Sequence, residues 1–246
     1  MDIKNEIKNN RKAIKPTWTD LHTFKTDRHL GLERPALFKE LEGIKFKLQK
    51  EFPNIDKISL TESIKNRRST RKYSKHPLSF EEVSYLLYET SRVDFVKNES
   101  AVFRTIPTGG ATNAMETYVY VNNLEGIKQG LYHYAQNKHE LTLIEETKTL
   151  KERVNSAMLR QLREASIVVF FTAVPYRSEY KYAHTAHKMI MIEAGHAAQN
   201  LSLSCEAINS GAVCIAAYNQ ELCDNLLQID GEEEFTTYVV ALGKKV

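Results

Sequence analysis

The pattern of apolar and polar positions along this chain predicts helices in some segments and strands in others. Two Ser-x-x-Glu segments, 59–62 and 79–82, have the spacing of a capping box, which predicts a helix N-terminus at each serine. The second is followed by Val83, Leu86 and Leu87 at helical spacing. We therefore expect one helix to begin at each of these serines.

Three short segments rich in β-branched and aromatic residues, 118–121, 167–171 and 238–240, have the composition of strands. A longer stretch, from about Ala186 to Ile208, mixes apolar with small residues, as buried helices do when they pack closely against neighbours. Helices and strands are thus interleaved. The pattern predicts a mixed α and β class without internal repeats.

The first 57 residues differ in composition from the rest. They are rich in lysine and interrupted by Pro16, Pro35 and Pro53, with only short apolar patches. We expect residues 1–57 to form an irregular N-terminal extension on one folded domain, residues 58–246. A chain of 246 residues, 42% of them hydrophobic, is long enough to bury one substantial core.

Charge and hydropathy narrow the choice of partners. Lysine and arginine total 34 against 31 acidic residues, a formal net charge of +3, which gives no basis for a nucleic-acid-binding surface. No apolar run approaches the roughly 18 residues of a membrane-spanning helix. We expect a cytoplasmic protein that binds no membrane.

The three cysteines, Cys205, Cys214 and Cys223, lack CxxC spacing. Their odd number argues against a disulfide-stapled fold, and zinc usually takes closely paired ligands. We expect buried apolar side chains here and no metal site.

A basic cluster is the first candidate for chemistry. Arg67, Arg68, Ser69 and Arg71 place three guanidinium groups and a hydroxyl within five residues. Arginine supplies planar, bidentate donors that suit a phosphate group. The run also fits a solvated cluster at a helix C-terminus, where the helix dipole favours cations. Taken alone, the cluster leaves both interpretations open.

The second candidate is the pair Gly109 and Gly110 within the segment 107–111. Adjacent glycines allow the backbone to approach a flat group or to adopt positive φ, which leaves peptide groups free to contact a ring edge. A Pro-x-Gly-Gly sequence is also an ordinary tight turn. This segment alone does not decide between the two.

Together with a third segment, these two resemble a known family. Residues 67–71 are similar to the Arg-x-Ser-x-Arg signature of nitroreductase-fold proteins, and residues 107–111 to the Pro-Ser-Gly-Gly-Ala segment of SagB-type dehydrogenases. The run 193–201, Glu-Ala-Gly-His-Ala-Ala-Gln-Asn-Leu, resembles a helix of the same branch. The resemblance covers nearly the whole chain. It implies an α+β, nitroreductase-like fold with a central mixed or antiparallel sheet flanked by helices, an FMN cofactor and a homodimer.

The resemblance also implies which residues hold FMN. Arg67, Ser69 and Arg71 would bind the phosphate and the ribityl oxygens, with Lys244 or Lys245 completing the phosphate site. Residues 107–111 would face the flavin, and 211–216 would lie along its other side, where a backbone N–H can stabilise negative charge at N5. The expected set is Arg67, Arg68, Ser69, Arg71, Pro107, Thr108, Gly109, Gly110, Ala111, Asn113, Val213, Cys214, Ile215, Ala216, Lys244 and Lys245.

The chain departs from that branch at two places. Residues 112–116 read Thr-Asn-Ala-Met-Glu, where the family more often has an aromatic residue and a proline. We therefore expect a differently shaped pocket above the flavin. Thr108 replaces the usual serine and keeps its hydroxyl group.

A Lys-Tyr pair precedes the long helix. SagB-type azoline oxidases are similar at Lys181 and Tyr182, and the resemblance implies that Lys181 is the catalytic base and Tyr182 its assistant. Aromatising an azoline removes a hydride and a proton, and partial burial can lower the pKa of a lysine enough for it to take that proton. The pair is also consistent with the beginning of an amphipathic helix, in which the aromatic ring packs and the ammonium group of the lysine stays in water.

Two polar residues of the long helix are expected to be structural. Glu193 is expected to pair with an arginine near the flavin. His196 lies among small residues, where a hydrogen-bonded core histidine is more common than a catalyst.

Three functions are consistent with these features. The first is an FMN-dependent azoline dehydrogenase that acts on a ribosomal peptide, beside a cyclodehydratase that makes the rings. The second is an NAD(P)H-dependent nitroreductase or quinone reductase that acts on a small molecule with the same flavin site. The third is a flavin-binding or partner-binding subunit with little catalysis of its own, held in a biosynthetic complex through the lysine-rich first 57 residues.

Overall fold

The computed structural model describes residues 2–98 and 100–246. Its strands are β1 (Lys45–Lys47), β2 (Val93–Lys97), β3 (Ala101–Arg104), β4 (Met115–Val121), β5 (Gly130–Ala135), β6 (Glu140–Glu145), β7 (Ile167–Ala173), β8 (Ser210–Ile215) and β9 (Phe235–Lys244). Seven form one sheet in the order β1-β6-β5-β4-β7-β9-β8, and every neighbouring pair in it is antiparallel. Strands β2 and β3 form a separate hairpin. The expected central antiparallel sheet is confirmed.

Helices cover both faces of this sheet. They are α1 (Ile3–Ala13), α2 (Asp27–Leu30), α3 (Leu60–Asn66), α4 (Phe80–Ser91), α5 (Leu150–Ala157), α6 (Tyr176–Tyr182), α7 (Ala186–Ser204) and α8 (Gln220–Leu227). Apolar residues of α4 and α7 pack on one face, and those of α5 and α8 on the other. Because side chains alternate along a strand, Val119 of β4 packs with the first pair of helices and Tyr118 with the second.

The strongest sequence patterns correspond to the observed elements. Both capping boxes form, with Ser59 capping α3 and Ser79 capping α4. The three predicted strands lie within β4, β7 and β9. The predicted long helix is α-helical up to Ser204 and continues as a 3-10 turn, Cys205–Ile208. Asn209 then adopts φ 48°, a left-handed conformation that ends the helix.

The first 57 residues combine short elements with irregular chain. Helix α1 buries none of its residues, whereas β1 joins the main sheet by pairing with β6. The backbone N–H of Lys39 donates to Glu116 Oε1 over 3.0 Å, so the segment before β1 is also tied to the sheet. Whether residues 1–57 form a unit separate from 58–246 stays a prediction.

Two further expectations concern the burial of the cysteines and the lack of a membrane-spanning segment. Cys205 and Cys223 are buried, and Cys214 is half-buried; all three are free thiols. Within residues 2–98 and 100–246, no helix is long and apolar enough to cross a membrane.

Candidate functional site

The Gly-Gly turn is a short 3-10 segment, Gly109–Ala111, between β3 and β4. A Cβ atom on Gly110 would lie 2.0 Å from the hydroxyl oxygen of Tyr182, and one on Gly109 would lie 2.5 Å from the sulfur of Met189. Gly110 also has φ 61°, a conformation that disfavours other residues. The two glycines therefore let side chains of α6 and α7 pack directly on the turn.

The remaining residues of this turn have mixed exposure. Pro107 is exposed, Thr108 and Ala111 are half-buried, and Asn113 is buried with φ 56°. The carbonyl oxygen of Pro107 lies 3.3 Å from His196 Nδ1. His196 is half-buried, so it makes a backbone contact but does not lie in the core as expected.

Lys181 and Tyr182 end helix α6 beside this turn. The ammonium group of Lys181 donates to the carbonyl oxygen of Gly110 over 2.9 Å. Partial burial lowers the pKa of Lys181, and the positive charges of Arg28 and Arg34 lower it further. The structure thus places the predicted catalytic pair against the predicted ring-facing turn, with an amine that loses its proton more easily than an ordinary lysine does.

The N-terminal extension covers α6. The Trp18 ring meets the edge of Tyr182, with ring centroids 6.1 Å apart. The hydroxyl group of Tyr176 donates to Asp27 Oδ2 over 2.9 Å, and that of Tyr180 donates to a backbone carbonyl at residue 32 over 3.1 Å. These contacts were not predicted, because an irregular segment has no hydrophobic period that indicates what it packs against.

A buried polar network anchors the turn to α7. Arg104 Nη1 donates to Asn113 Oδ1 over 2.8 Å and lies 3.4 Å from Glu193 Oε1. Asn113 Nδ2 in turn donates to the carbonyl oxygen of Leu37 over 2.6 Å. The expected pairing of Glu193 with an arginine is confirmed. Burial raises the pKa of Glu193 to about 7, while Arg104 opposes the rise.

A second buried network was not found from the sequence. Arg177 Nη1 donates to Glu116 Oε1 over 2.6 Å and to the carbonyl oxygen of Asn113 over 3.1 Å. The other carboxylate oxygen, Glu116 Oε2, lies 3.0 Å from His133 Nε2. Burial acts to raise the pKa of Glu116, but the bond to His133 and the charge of Arg177 hold it below its usual value. This network fixes the backbone just after the Gly-Gly turn.

The basic segment 67–71 follows α3 and lies along strand β8. The backbone N–H of Thr70 donates to the carbonyl oxygen of Ala212 over 3.0 Å. A Cβ atom on Gly211 would lie 2.2 Å from Thr70 Oγ1, so glycine permits this close approach. In the described part of the chain, no carboxylate forms an ion pair with an arginine of this segment. Among the residues that the structure describes, these guanidinium groups thus have no carboxylate partner.

The two C-terminal lysines adjoin the same segment but have carboxylate partners. Lys244 Nζ bonds to Glu82, and also to the carbonyl oxygen of Ile208 over 2.7 Å. Lys245 Nζ lies 2.7 Å from Glu206 Oε2. A phosphate at this end would have to share these ammonium groups with the carboxylates.

The residues of β8 point to alternate faces. Val213 and Ile215 are buried with α5 and α8. Cys214 faces α7, with its sulfur 3.5 Å from the Ser202 hydroxyl oxygen, and Ala216 is exposed beyond the strand. Only backbone atoms of Val213 and Ile215 could therefore reach a ligand on the α7 side.

The structure brings the predicted residues together as two separate groups. The Gly-Gly turn packs on Met189, near the start of α7, whereas β8 meets that helix at Ser202. Thirteen residues of α-helix span about 20 Å. One chain therefore holds the Gly-Gly turn and the basic segment at opposite ends of α7.

Comparison with known proteins identifies the family of this chain. The family model described as "Nitroreductase family" matches residues 64–244. A nitroreductase-like protein of Methanocaldococcus jannaschii is 27% identical over 197 residues, which cover 80% of this chain and 96% of that protein. The trifolitoxin-processing protein TfxB of Rhizobium leguminosarum bv. trifolii is 24% identical over 174 residues, 64% of this chain and 44% of TfxB.

Solved structures share the fold. A nitroreductase-like protein of Ralstonia eutropha superposes with a TM-score of 0.68 at 21% identity, covering 87% of this chain and 95% of that one. The Escherichia coli microcin synthetase McbBCD complex, with truncated pro-MccB17 bound, gives a TM-score of 0.61 at 20% identity, with coverages of 85% and 79%. An FMN complex from Desulfovibrio desulfuricans gives 0.52 at 15%, with coverages of 77% and 88%. The chain belongs to the nitroreductase family, whose members are generally flavin oxidoreductases.

Proposed function

We propose that this chain is a cytoplasmic, FMN-dependent azoline dehydrogenase, which oxidises thiazoline or oxazoline rings of a ribosomal peptide to azoles. The observation that carries the proposal is the contact of Lys181 with the carbonyl oxygen of Gly110, which puts a half-buried amine of lowered pKa on the ring-facing turn. Membership of the nitroreductase family supports FMN as the cofactor. The Lys181–Tyr182 pair supports oxidation of an azoline ring.

The basic segment has the donor chemistry that FMN requires. Arg67, Arg68 and Arg71 lie within five residues and, among the residues that the structure describes, have no carboxylate partner. Guanidinium groups bind phosphate through paired, charge-assisted hydrogen bonds. The residues present therefore fit a phosphate dianion, and we assign the FMN phosphate to them.

The proposed reaction removes a hydride from one carbon of the azoline ring and a proton from its neighbour. Bound FMN supplies the two-electron acceptor, at flavin N5. Lys181 Nζ takes the proton in its neutral form, which its lowered pKa makes more abundant. Tyr182, packed against Gly110, orients the ring beside that amine.

Two relatives support a peptide as the substrate. TfxB is named for processing trifolitoxin, and the McbBCD structure is a microcin synthetase with a truncated pro-peptide bound. We propose for this chain a comparable role beside a cyclodehydratase that forms the azoline rings.

We further propose that two chains share the flavin sites. Met191 and Ile192 on α7 are 50% and 48% exposed, which leaves an apolar stretch on a central helix. The two halves of the expected site lie at opposite ends of that helix. A two-fold pair of chains would bring the basic segment of one copy beside the Gly-Gly turn of the other.

The test begins with the cofactor. The flavin released on denaturation should be FMN, bound one per chain. The holoprotein should then convert a synthetic peptide with a single thiazoline, or its oxazoline counterpart, into the azole, seen as loss of two hydrogen atoms by mass spectrometry. An unchanged peptide in the presence of bound FMN would contradict the azoline assignment.

The names of several relatives favour a second candidate, an NAD(P)H-dependent nitroreductase or quinone reductase. Rapid bleaching of the flavin by NADH or NADPH, together with an unchanged azoline peptide, would establish it. If no flavin is bound and none can be restored, the chain acts instead as a partner subunit of a biosynthetic complex.

A further inference from the structure

A pocket of about 410 Å³ lies between helix α5 and the loop that leads from it into β7. Its charged lining residues are Lys148, Lys151, Glu152, Arg160, Arg163 and Glu164. We call it the α5 pocket. None of its residues belongs to the expected flavin site or to the Lys181–Tyr182 pair.

The charges of the α5 pocket do not balance. Its lining contributes four cations and two carboxylates, a local excess of two positive charges. One lysine and one carboxylate, Lys151 and Glu164, are 3.3 Å apart and well exposed, and an exposed pair of this kind is weak enough for a ligand to displace. No described carboxylate pairs with Arg160 or Arg163.

The loop holds its arginines on an unusual but anchored backbone. Leu159, Arg160, Arg163 and Glu164 all have positive φ, between 48° and 63°, a region that residues other than glycine seldom adopt. Leu162, between the two arginines, is buried.

Three hydrogen bonds fix the same loop. The backbone N–H of Arg160 donates to the carbonyl oxygen of Asn155 over 2.8 Å, and that of Ala165 to Leu162 over 2.9 Å. The side chain of Gln161 donates to the carbonyl oxygen of Ala217 over 2.7 Å. The arginines therefore extend from a fixed frame, which reduces the entropy lost when they bind a ligand.

We propose that the α5 pocket binds a dianionic phosphoryl group. Two guanidinium forks match the tetrahedral oxygens of a phosphate, and the excess of two positive charges is balanced by a dianion but not by a single carboxylate. The volume lies within the range of small-ligand sites, so a pyrophosphate or the phosphorylated part of a nucleotide can enter. This site is independent of the proposed function.

The α5 pocket adjoins the flavin-phosphate segment without being part of it. Tyr73 is the residue between them: burial raises its pKa, and Arg71 and Arg163 both oppose the rise. The hydroxyl group of Tyr73 donates to the carbonyl oxygens of Thr70 and Ala241. A test must therefore use protein whose flavin site is already filled.

Isothermal titration of the FMN-loaded protein with inorganic pyrophosphate is the direct test. We expect saturable binding that weakens with added salt and is at least about tenfold weaker in the double variant Arg160→Gln, Arg163→Gln. Both arginines are exposed, so the variant should fold, and its thermal midpoint checks this. Arg153→Gln removes one positive charge from α5 at a residue that pairs with Glu145 outside the pocket, and it should bind as the unchanged protein does. The single variants Arg160→Gln and Arg163→Gln remove the same one charge within the pocket, and each should bind more weakly.

A second probe, adenosine 2′,5′-bisphosphate, distinguishes the source of the phosphoryl group. Tighter binding than pyrophosphate, with the same dependence on Arg160 and Arg163, indicates a phosphorylated nucleotide. Equal or weaker binding indicates a free phosphate or pyrophosphate. Absence of saturable binding by both probes, or binding that the double variant leaves unchanged, overturns the proposal.

Discussion

The ammonium group of Lys181 donates a hydrogen bond to the carbonyl oxygen of Gly110, 2.9 Å away and 71 residues earlier in the chain. Tyr182, the next residue, occupies the space that a Cβ atom on that glycine would need. The end of α6 and the Gly-Gly turn are thus one unit. A substitution at the end of α6 should therefore affect the Gly-Gly turn, and a substitution in the turn should affect the end of α6.

Replacing Lys181 with alanine tests its role as the base. We expect peptide oxidation to fall by at least about a hundredfold, because general-base catalysis contributes on that scale, while bound FMN stays unchanged. Lys188→Ala is the matched control, since Lys188 is exposed on the first turn of α7. Near-normal turnover by Lys181→Ala would assign the proton to another group.

The pH profile should respond to the charge of Arg28. That charge helps lower the pKa of Lys181, after the larger effect of partial burial. The Arg28→Gln variant lacks this charge, so the ammonium form of Lys181 is less destabilised and the pKa of Lys181 rises. The acid limb of kcat/KM for peptide oxidation should therefore move to higher pH, with little change on the plateau. A limb that stays in place would show that Lys181 does not titrate in catalysis.

Gly110→Ala should distort the candidate site. The added Cβ atom meets the Tyr182 hydroxyl oxygen at 2.0 Å, and the backbone already has φ 61°. We expect a loss of about 2 kcal/mol in the free energy of unfolding, by urea titration, and a larger loss of activity.

A double variant separates the two causes of that loss. In the Tyr182→Ala background the clash disappears but the backbone strain remains, so Gly110→Ala should then cost less stability. Equal costs in the two backgrounds would mean that Tyr182 does not press on the turn.

Sequence alone predicted the elements with strong local signals. The capping serines Ser59 and Ser79 specify their helices through side-chain bonds made within three residues. The segments of β4 and β7 have a composition that favours buried strands at any place in a sheet. Such signals need no knowledge of the partner.

Such local signals do not predict contacts between polar residues that are far apart in the sequence. Arg177 and Glu116 are 61 residues apart, and each alone has the pattern of a surface residue. The sequence also could not show that Lys244 would have Glu82 as its partner. Burial and pairing emerge only when the strands are assembled, so the network of Arg177, Glu116 and His133 was not predicted. The pairing of Glu193 with an arginine was expected only from the family resemblance.

The stability of the protein should depend on pH through Glu193. Burial raises its folded-state pKa to about 7, so the folded protein binds a proton that the unfolded chain releases at lower pH. This contribution is fully present below the ordinary carboxylate pKa and is lost as the pH rises towards 7. Over that window it is on the order of 3 kcal/mol.

Glu193→Gln removes this titration. The difference in unfolding free energy between the variant and the unchanged protein, measured by urea titration at pH 5 and pH 8, should shift in favour of the variant at the higher pH. Glu221→Gln, on the exposed side of α8, is the control and should show no such shift. If the unfolding free energies of Glu193→Gln and of the unchanged protein differ by the same amount at pH 5 and at pH 8, the raised pKa is contradicted.

The N-terminal extension should matter to the substrate site only from Trp18 onwards. Helix α1 buries none of its residues, whereas Trp18 packs on Tyr182 and Asp27 accepts the Tyr176 hydroxyl bond. Deleting residues 2–15 should therefore leave peptide oxidation and thermal stability unchanged. Deleting residues 2–34 removes the cover of α6, and we expect kcat/KM to fall at least about tenfold through lost positioning, while FMN stays bound.

A point variant tests the same contact without the risk that the longer deletion misfolds. Trp18→Ala keeps the chain intact and removes only the ring that contacts Tyr182. It should raise KM for the azoline peptide more than it lowers kcat, because Lys181, the proposed proton acceptor, keeps its bond to Gly110. If Trp18→Ala and the deletion of residues 2–34 both retain full kcat/KM, the extension does not form part of the substrate site.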